Sequence, residues 1–299
     1  MLLFSLSGKS RSQAGIIFGV PTPFYHLRLA EDLLSDPRLE AGQSRFLQSF
    51  ACAFLFGSTA PDVQVVSGQP RQHTHFFYLP VQEGDQPPWQ ALLSNYPQLT
   101  ETHRISEEQT AFLAGYLCHL QADWIWVKEL FAPAFGPKAG WGTFAQRLIL
   151  HNALRAYLDA RLLPELAPGM DRCLGQVQPD GWLPFVDDQD LLTWRDVLVP
   201  QLRPGARGQT VEVFSSRQGI SVPELHALVS SNERMQREVF SHLPLQAVQD
   251  YYQQVLKENC GMLASYLAAY GNTTAADTTN KPLAPEDDRD QTQANLYGS

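Results

Sequence analysis

Apolar residues recur along this chain at i, i+3, i+4 and i+7, and helices dominate the reading. The periodic segments are 24–35, 41–57, 107–131, 141–163, 222–231, 233–241 and 245–270. Punctuation supports several boundaries: Asp36-Pro37 stops the first segment, and Pro133 with Gly136 follows the third. Ser106-Glu107-Glu108-Gln109 opens that third segment with a serine cap, acids in the first turn and glutamine at the third position. Strand-like alternation is confined to a weak stretch at 210–214. The pattern predicts an all-α fold, a multi-helix, bundle-like single domain over residues 21–270 with long connections.

The connections differ in composition. Residues 80–102 are rich in proline, glutamine and acids, and read as a loop arching over a neighbouring site. Residues 164–193 carry Pro, Gly and Asp with Trp182 and Phe185 interspersed, which predicts a loop ordered against the body. Residues 271–299 contain almost no large apolar side chains, so burial cannot offset the entropy of ordering them, and a disordered tail is expected. Residues 1–20 read as a flexible extension before Pro21-Thr22-Pro23. Valine is encoded by a codon that bacteria use to initiate, which makes Val20 an expected true start.

Composition narrows the class. Of 299 residues, 44% are hydrophobic, enough for a sizeable core. The net charge of −9, with no basic patch, argues against nucleic-acid binding by phosphate neutralisation. No run of 18 apolar residues predicts a membrane-spanning helix, and residues 1–20 make a poor secretory leader. Cys52, Cys118, Cys173 and Cys260 are widely spaced, two of them within apolar helical runs, and read as reduced buried thiols. These features together predict a soluble, cytoplasmic protein.

The chemistry concentrates in Gly115-Tyr116-Leu117-Cys118-His119-Leu120-Gln121-Ala122-Asp123, where a histidine and an aspartate stand four apart on an otherwise apolar helix. That spacing puts both on one face about 5–6 Å apart, a pair able to bite one metal ion. A buried aspartate is costly without a positive partner, and no Lys or Arg lies between Arg104 and Lys128. Two upstream segments share the character: Phe54-Leu55-Phe56-Gly57-Ser58-Thr59-Ala60-Pro61-Asp62, and Gln72-His73-Thr74-His75-Phe76-Phe77. His26 opens the first periodic segment. Asp62 also suits a capping role, and His119 with Asp123 also suits a hydrogen-bonded core pair. His73 reads as a surface histidine or one supporting the ligands from behind, and His103, His226 and His242 read as surface residues.

In order and spacing, His26, Gly57–Asp62, Thr74-His75-Phe76 and the 115–123 segment resemble the bacterial zinc-dependent phospholipase C family over about residues 21–159. The resemblance implies an all-α fold holding up to three zinc ions that activate water against a phosphodiester. One zinc would take Asp62, His75, His119 and Asp123. A second would take His26 and the shared Asp123, although the N-terminal tryptophan that completes it in secreted relatives has no counterpart here. For a third, the chain offers Glu129, His151 and Asp159, with Arg155 where the family pattern places a glutamate four after its histidine. Arg155 suits either a salt bridge to Asp159 or, through its planar fork, a phosphate clamp.

The mixed nitrogen and oxygen set suits Zn²⁺ without excluding Mn²⁺ or Fe²⁺. The expected activity is hydrolysis of a small-molecule or lipid phosphate ester, with Asp62 both ligand and general base. Two other readings stay open: a metal hydrolase with a different substrate, and a non-catalytic descendant keeping one structural zinc.

Overall fold

The computed structural model describes residues 20–270, so the expected extension before Val20 and the expected tail at 271–299 lie outside the described residues. In chain order the helices are α1 (Pro23–Leu34), α2 (Ala41–Ser49), α3 (Ala51–Gly57), α4 (Gln64–Ser67), α5 (Arg71–His75), α6 (Pro88–Asn95), α7 (Glu107–Trp126) and α8 (Ala132–Ala134). They continue as α9 (Phe144–Leu162), α10 (Met170–Gln176), α11 (Asp188–Leu198), α12 (Thr210–Gln218), α13 (Val222–Ser230), α14 (Asn232–Glu238) and α15 (Leu245–Tyr266). No strand occurs among the described residues, and the fold is all-α.

α7 is the axis of the core. Its N-terminus is capped as the sequence predicts, with the Ser106 hydroxyl accepting from the Gln109 amide. Every residue from Thr110 to Trp126 is buried, which an all-round apolar helix requires. α3 crosses it at backbone contact. A methyl added at Gly57 would stand 1.9 Å from the Phe112 carbonyl oxygen, and one at Gly115 would stand 2.0 Å from that of Phe54. Only glycine permits this approach. α15 covers another side of α7, where the Tyr251 hydroxyl donates to the Ala122 carbonyl at 3.1 Å. α1 packs beside them, Tyr25 meeting both Trp126 and Tyr251 ring to ring.

Several expectations need correction. The 41–57 segment breaks at Phe50 into α2 and α3. The 80–102 loop contains α6, and the 164–193 loop contains α10 and the first half of α11. The strand-like 210–214 stretch is the first turn of α12, whose start is fixed by the Thr210 hydroxyl donating to Asp159 at 2.5 Å. Tertiary packing here overrides β-propensity. α7 runs on through a π-helical turn, Val127–Phe131, that leaves Lys128 and Glu129 exposed.

The cysteines are not all reduced. Cys52 on α3 and Cys173 on α10 form a disulfide with Cα atoms 5.1 Å apart, across a sequence separation of 121, while Cys118 and Cys260 remain free and buried. Spacing alone cannot reveal such a pair; α3 packing against α10 creates it. Among the described residues no helix is long and apolar enough to cross a membrane.

Candidate metal centre

Five side chains from four elements meet at the α3–α7 crossing. His26 comes from the first turn of α1, Asp62 from the 3₁₀ turn Ala60–Val63 that follows α3, His75 from the end of α5, and His119 with Asp123 from one face of α7. All five are buried. His26 Nε2 lies 3.2 Å from Asp123 Oδ1, and His75 Nε2 and His119 Nε2 each lie 3.5 Å from Asp123 Oδ2. His75 Nε2 is 3.6 Å from Asp62 Oδ1. The His26 and His119 rings stack at 3.7 Å.

The far sides of the rings are anchored. His119 Nδ1 meets the Ser58 carbonyl at 2.8 Å, so Nδ1 carries the hydrogen and Nε2 presents its lone pair inward. His75 Nδ1 meets the Thr74 hydroxyl at 2.9 Å. The Tyr116 hydroxyl donates to the Thr74 carbonyl at 2.6 Å and ties α5 to α7. The α3–α7 contact through Gly57 and Gly115 thus sets the distance between the Ser58 carbonyl and the His119 ring.

Electrostatics keep the set ready for a cation. Burial, helped by the Arg71 guanidinium, lowers His75 to about 4, which leaves it neutral near pH 7. Burial and neighbouring His119 also lower His26. Burial would lower His119, but Asp123 outweighs it and raises that imidazole above its ordinary value. Burial would raise the two carboxyls; instead His119, His26 and Arg71 hold Asp123 well below the carboxylate range, and His75 with His119 lowers Asp62.

Whether these residues fit a metal is decided by their unpaired atoms. His26 Nε2, His75 Nε2, His119 Nε2 and Asp123 Oδ1 are buried with no hydrogen-bond partner. Such atoms cost roughly 1–3 kcal/mol each unless something meets them. They fall into two groups, His26–His119–Asp123 and Asp62–His75–His119, whose ligand atoms lie within 4.8 Å of one another. Donors about 2.1 Å from a tetrahedral zinc stand about 3.4 Å apart, close to the separations found here. The donor set fits zinc.

The other sequence candidates are elsewhere. Glu129 is exposed on the π-helical turn. His151 Nε2 accepts from the Trp126 indole at 3.0 Å, with the rings of Phe131 and Phe135 around it. Asp159 accepts from the hydroxyls of Thr22 and Thr210. Arg155 donates to Asn152 at 2.9 Å and lies over the Phe214 ring. None of these four belongs to either metal-capable group among the described residues. The sequence reading had no place for Arg71, which donates from Nη2 to Asp123 Oδ2 at 2.6 Å. The signal was available: Arg71 precedes His75 by four residues and shares its face of α5.

An all-α protein with a buried cluster of three histidines and two aspartates, its ligand atoms unpaired, is a metalloprotein by construction. The family model for zinc-dependent phospholipase C matches residues 25–183, more than half of the chain, and the chain belongs to that family. Comparison with curated proteins and with solved structures returns no match.

Proposed function

We propose that this protein is a zinc-dependent phosphodiester hydrolase of the phospholipase C type that acts on a lipid phosphate ester. The observation that carries the reading is the convergence of His26, Asp62, His75, His119 and Asp123 with four buried ligand atoms left unpaired. Zinc bound by them supplies Lewis acidity toward a phosphoryl oxygen and the attacking water. His75 and His119, locked from behind, hold their lone pairs in place, and Asp123 turns Oδ1 toward His26 and Oδ2 toward His75 and His119. Asp62 keeps a solvent-reachable edge, its side chain 9% exposed, and is the residue positioned to take the proton from the attacking water. Water oxygen bonds to phosphorus, the ester P–O bond breaks, and the departing alkoxide takes the proton that Asp62 received, leaving as the alcohol beside the phosphomonoester.

A mostly apolar pocket of about 590 Å³ lies along the segments that follow His75 and Asp123, and none of the five cluster residues lines it. Leu79 and Val81, just after His75, line it together with Trp124, Val127 and Phe131, which begin at the residue after Asp123. A hydrocarbon tail suits that lining better than a nucleoside does. The Cys52–Cys173 bridge removes the reduced-thiol ground for a cytoplasmic location and fits an oxidising compartment. Hydrolysis of glycerophospholipid in mixed micelles, followed as phosphomonoester release, tests the reading. Zinc-dependent turnover is expected; zinc-loaded protein without turnover on any phosphodiester would leave a structural zinc protein.

A further inference from the structure

Arg71 is the cation inside the ligand cluster. Its guanidinium contacts Asp123, the carboxylate of the group that His26 and His119 complete, yet it spends a single N–H there. Nε is buried without a partner, and no described residue accepts from Nη1. A guanidinium has five N–H groups. A counter-ion built only to neutralise a carboxylate favours the bidentate fork, which saturates both oxygens; here Asp123 Oδ1 faces His26 instead.

The side chain is fixed as well as underused. Its Cζ lies 4.6 Å from the centre of the Phe77 ring, and it springs from α5, which Tyr116 ties to α7. Its side chain is 13% exposed, so most of its length is enclosed. Charge points the same way. Two carboxylates, one guanidinium and even a single divalent ion leave the cluster net positive, and a buried site of that kind calls for an anion. A phosphodiester monoanion with two non-bridging oxygens matches a planar donor fork.

We propose that Arg71, through the N–H groups it does not share with Asp123, is the phosphate clamp of this site and holds a non-bridging oxygen of the substrate. The role expected of Arg155 thereby falls to a residue on another element. This inference rests on the zinc phosphodiesterase reading and assigns within it a group that touches substrate.

The test uses zinc-loaded full-length protein, with Arg71→Lys and Arg71→Ala beside wild type. Zinc per chain, the calorimetric affinity for inorganic phosphate, and KM and kcat on a phosphodiester are measured for each. The lysine variant keeps a charge beside Asp123 but loses the fork. It is expected to retain zinc and weaken phosphate binding about tenfold or more, as loss of a charge-assisted hydrogen bond does. The alanine variant is expected to weaken it about a hundredfold, with part of the loss restored by added methylguanidinium. Wild-type phosphate affinity in an Arg71→Lys protein of full zinc content overturns the proposal. So does zinc loss in both variants in step with phosphate affinity, since Arg71 would then only hold Asp123 in place. A wild-type protein that takes up no zinc overturns the functional reading first, and is told apart because no variant is needed to see it.

Discussion

Among the described residues, α7 and α9 each carry a row of buried ionisable side chains, and the α7 row alone joins a metal-capable group. On α7, His119 and Asp123 stand one turn apart, and His26, Asp62 and His75 close on them. On α9, His151, Arg155 and Asp159 stand at the same four-residue spacing and are equally enclosed. The difference lies in the partners. The α9 residues are shared out separately, His151 with the Trp126 indole, Arg155 with Asn152 and Phe214, and Asp159 with two threonine hydroxyls. On the α7 side the anchoring bonds all fall behind the rings, and the inward atoms face one another unpaired. His151 Nδ1 is also buried without a hydrogen-bond partner, so one leftover atom does not make a site; the α7 side differs in having several that face one another across ligand distances.

The comparison breaks most visibly at His119. His119→Ala should abolish zinc uptake by both groups and hydrolysis with it, a loss greater than the ten- to hundredfold typical of outer-shell partners; elemental analysis beside an activity assay checks this. Gly115→Ala strikes the frame instead of a ligand. Its methyl cannot coexist with the Phe54 carbonyl, so the helices must part, at a cost of about 3 kcal/mol in chemical denaturation and with weaker zinc binding as the Ser58 carbonyl leaves His119.

The α9 face should respond in stability and not in metal. Burial raises the Asp159 carboxyl from 3.8 to about 6. The folded state then holds the proton more tightly than the unfolded one. The resulting stability is full below about pH 4 and is lost as the pH rises through 6, a change on the order of 3 kcal/mol. Asp159→Asn should accordingly be more stable than wild type by about 1–3 kcal/mol at pH 8 and gain little at pH 4, with zinc content unchanged. Thermal melts at the two pH values decide it. The smallest effect belongs to His151→Phe, which leaves the Trp126 N–H without its acceptor and should cost about 1 kcal/mol while zinc and turnover persist.

Much of this was legible in the chain. The cap at Ser106, the length of the α7 segment and the His119–Asp123 spacing are local properties, and local properties survive folding. Asp62, His75 and His26 were legible through their register with the family pattern. Arg71 stands four residues before His75, and only the packing of α5 against α7 shows that it is the positive partner of Asp123. The Cys52–Cys173 bridge and the start of α12 on Asp159 depend on which elements pack together, and periodicity does not carry that information. The partners of the α9 residues depend on the same information. Residue type and spacing there match a ligand helix, and only the positions of Trp126, Asn152, Thr22 and Thr210 show that each residue meets a separate polar partner.

Zinc per chain, measured by elemental mass spectrometry on untagged wild-type protein purified without chelators, tests the centre most directly. One or two equivalents, falling to none in Asp123→Asn and unchanged in His151→Phe, is the predicted result. Well-folded wild-type protein without bound metal, or zinc that departs with His151 and stays with Asp123→Asn, would contradict it.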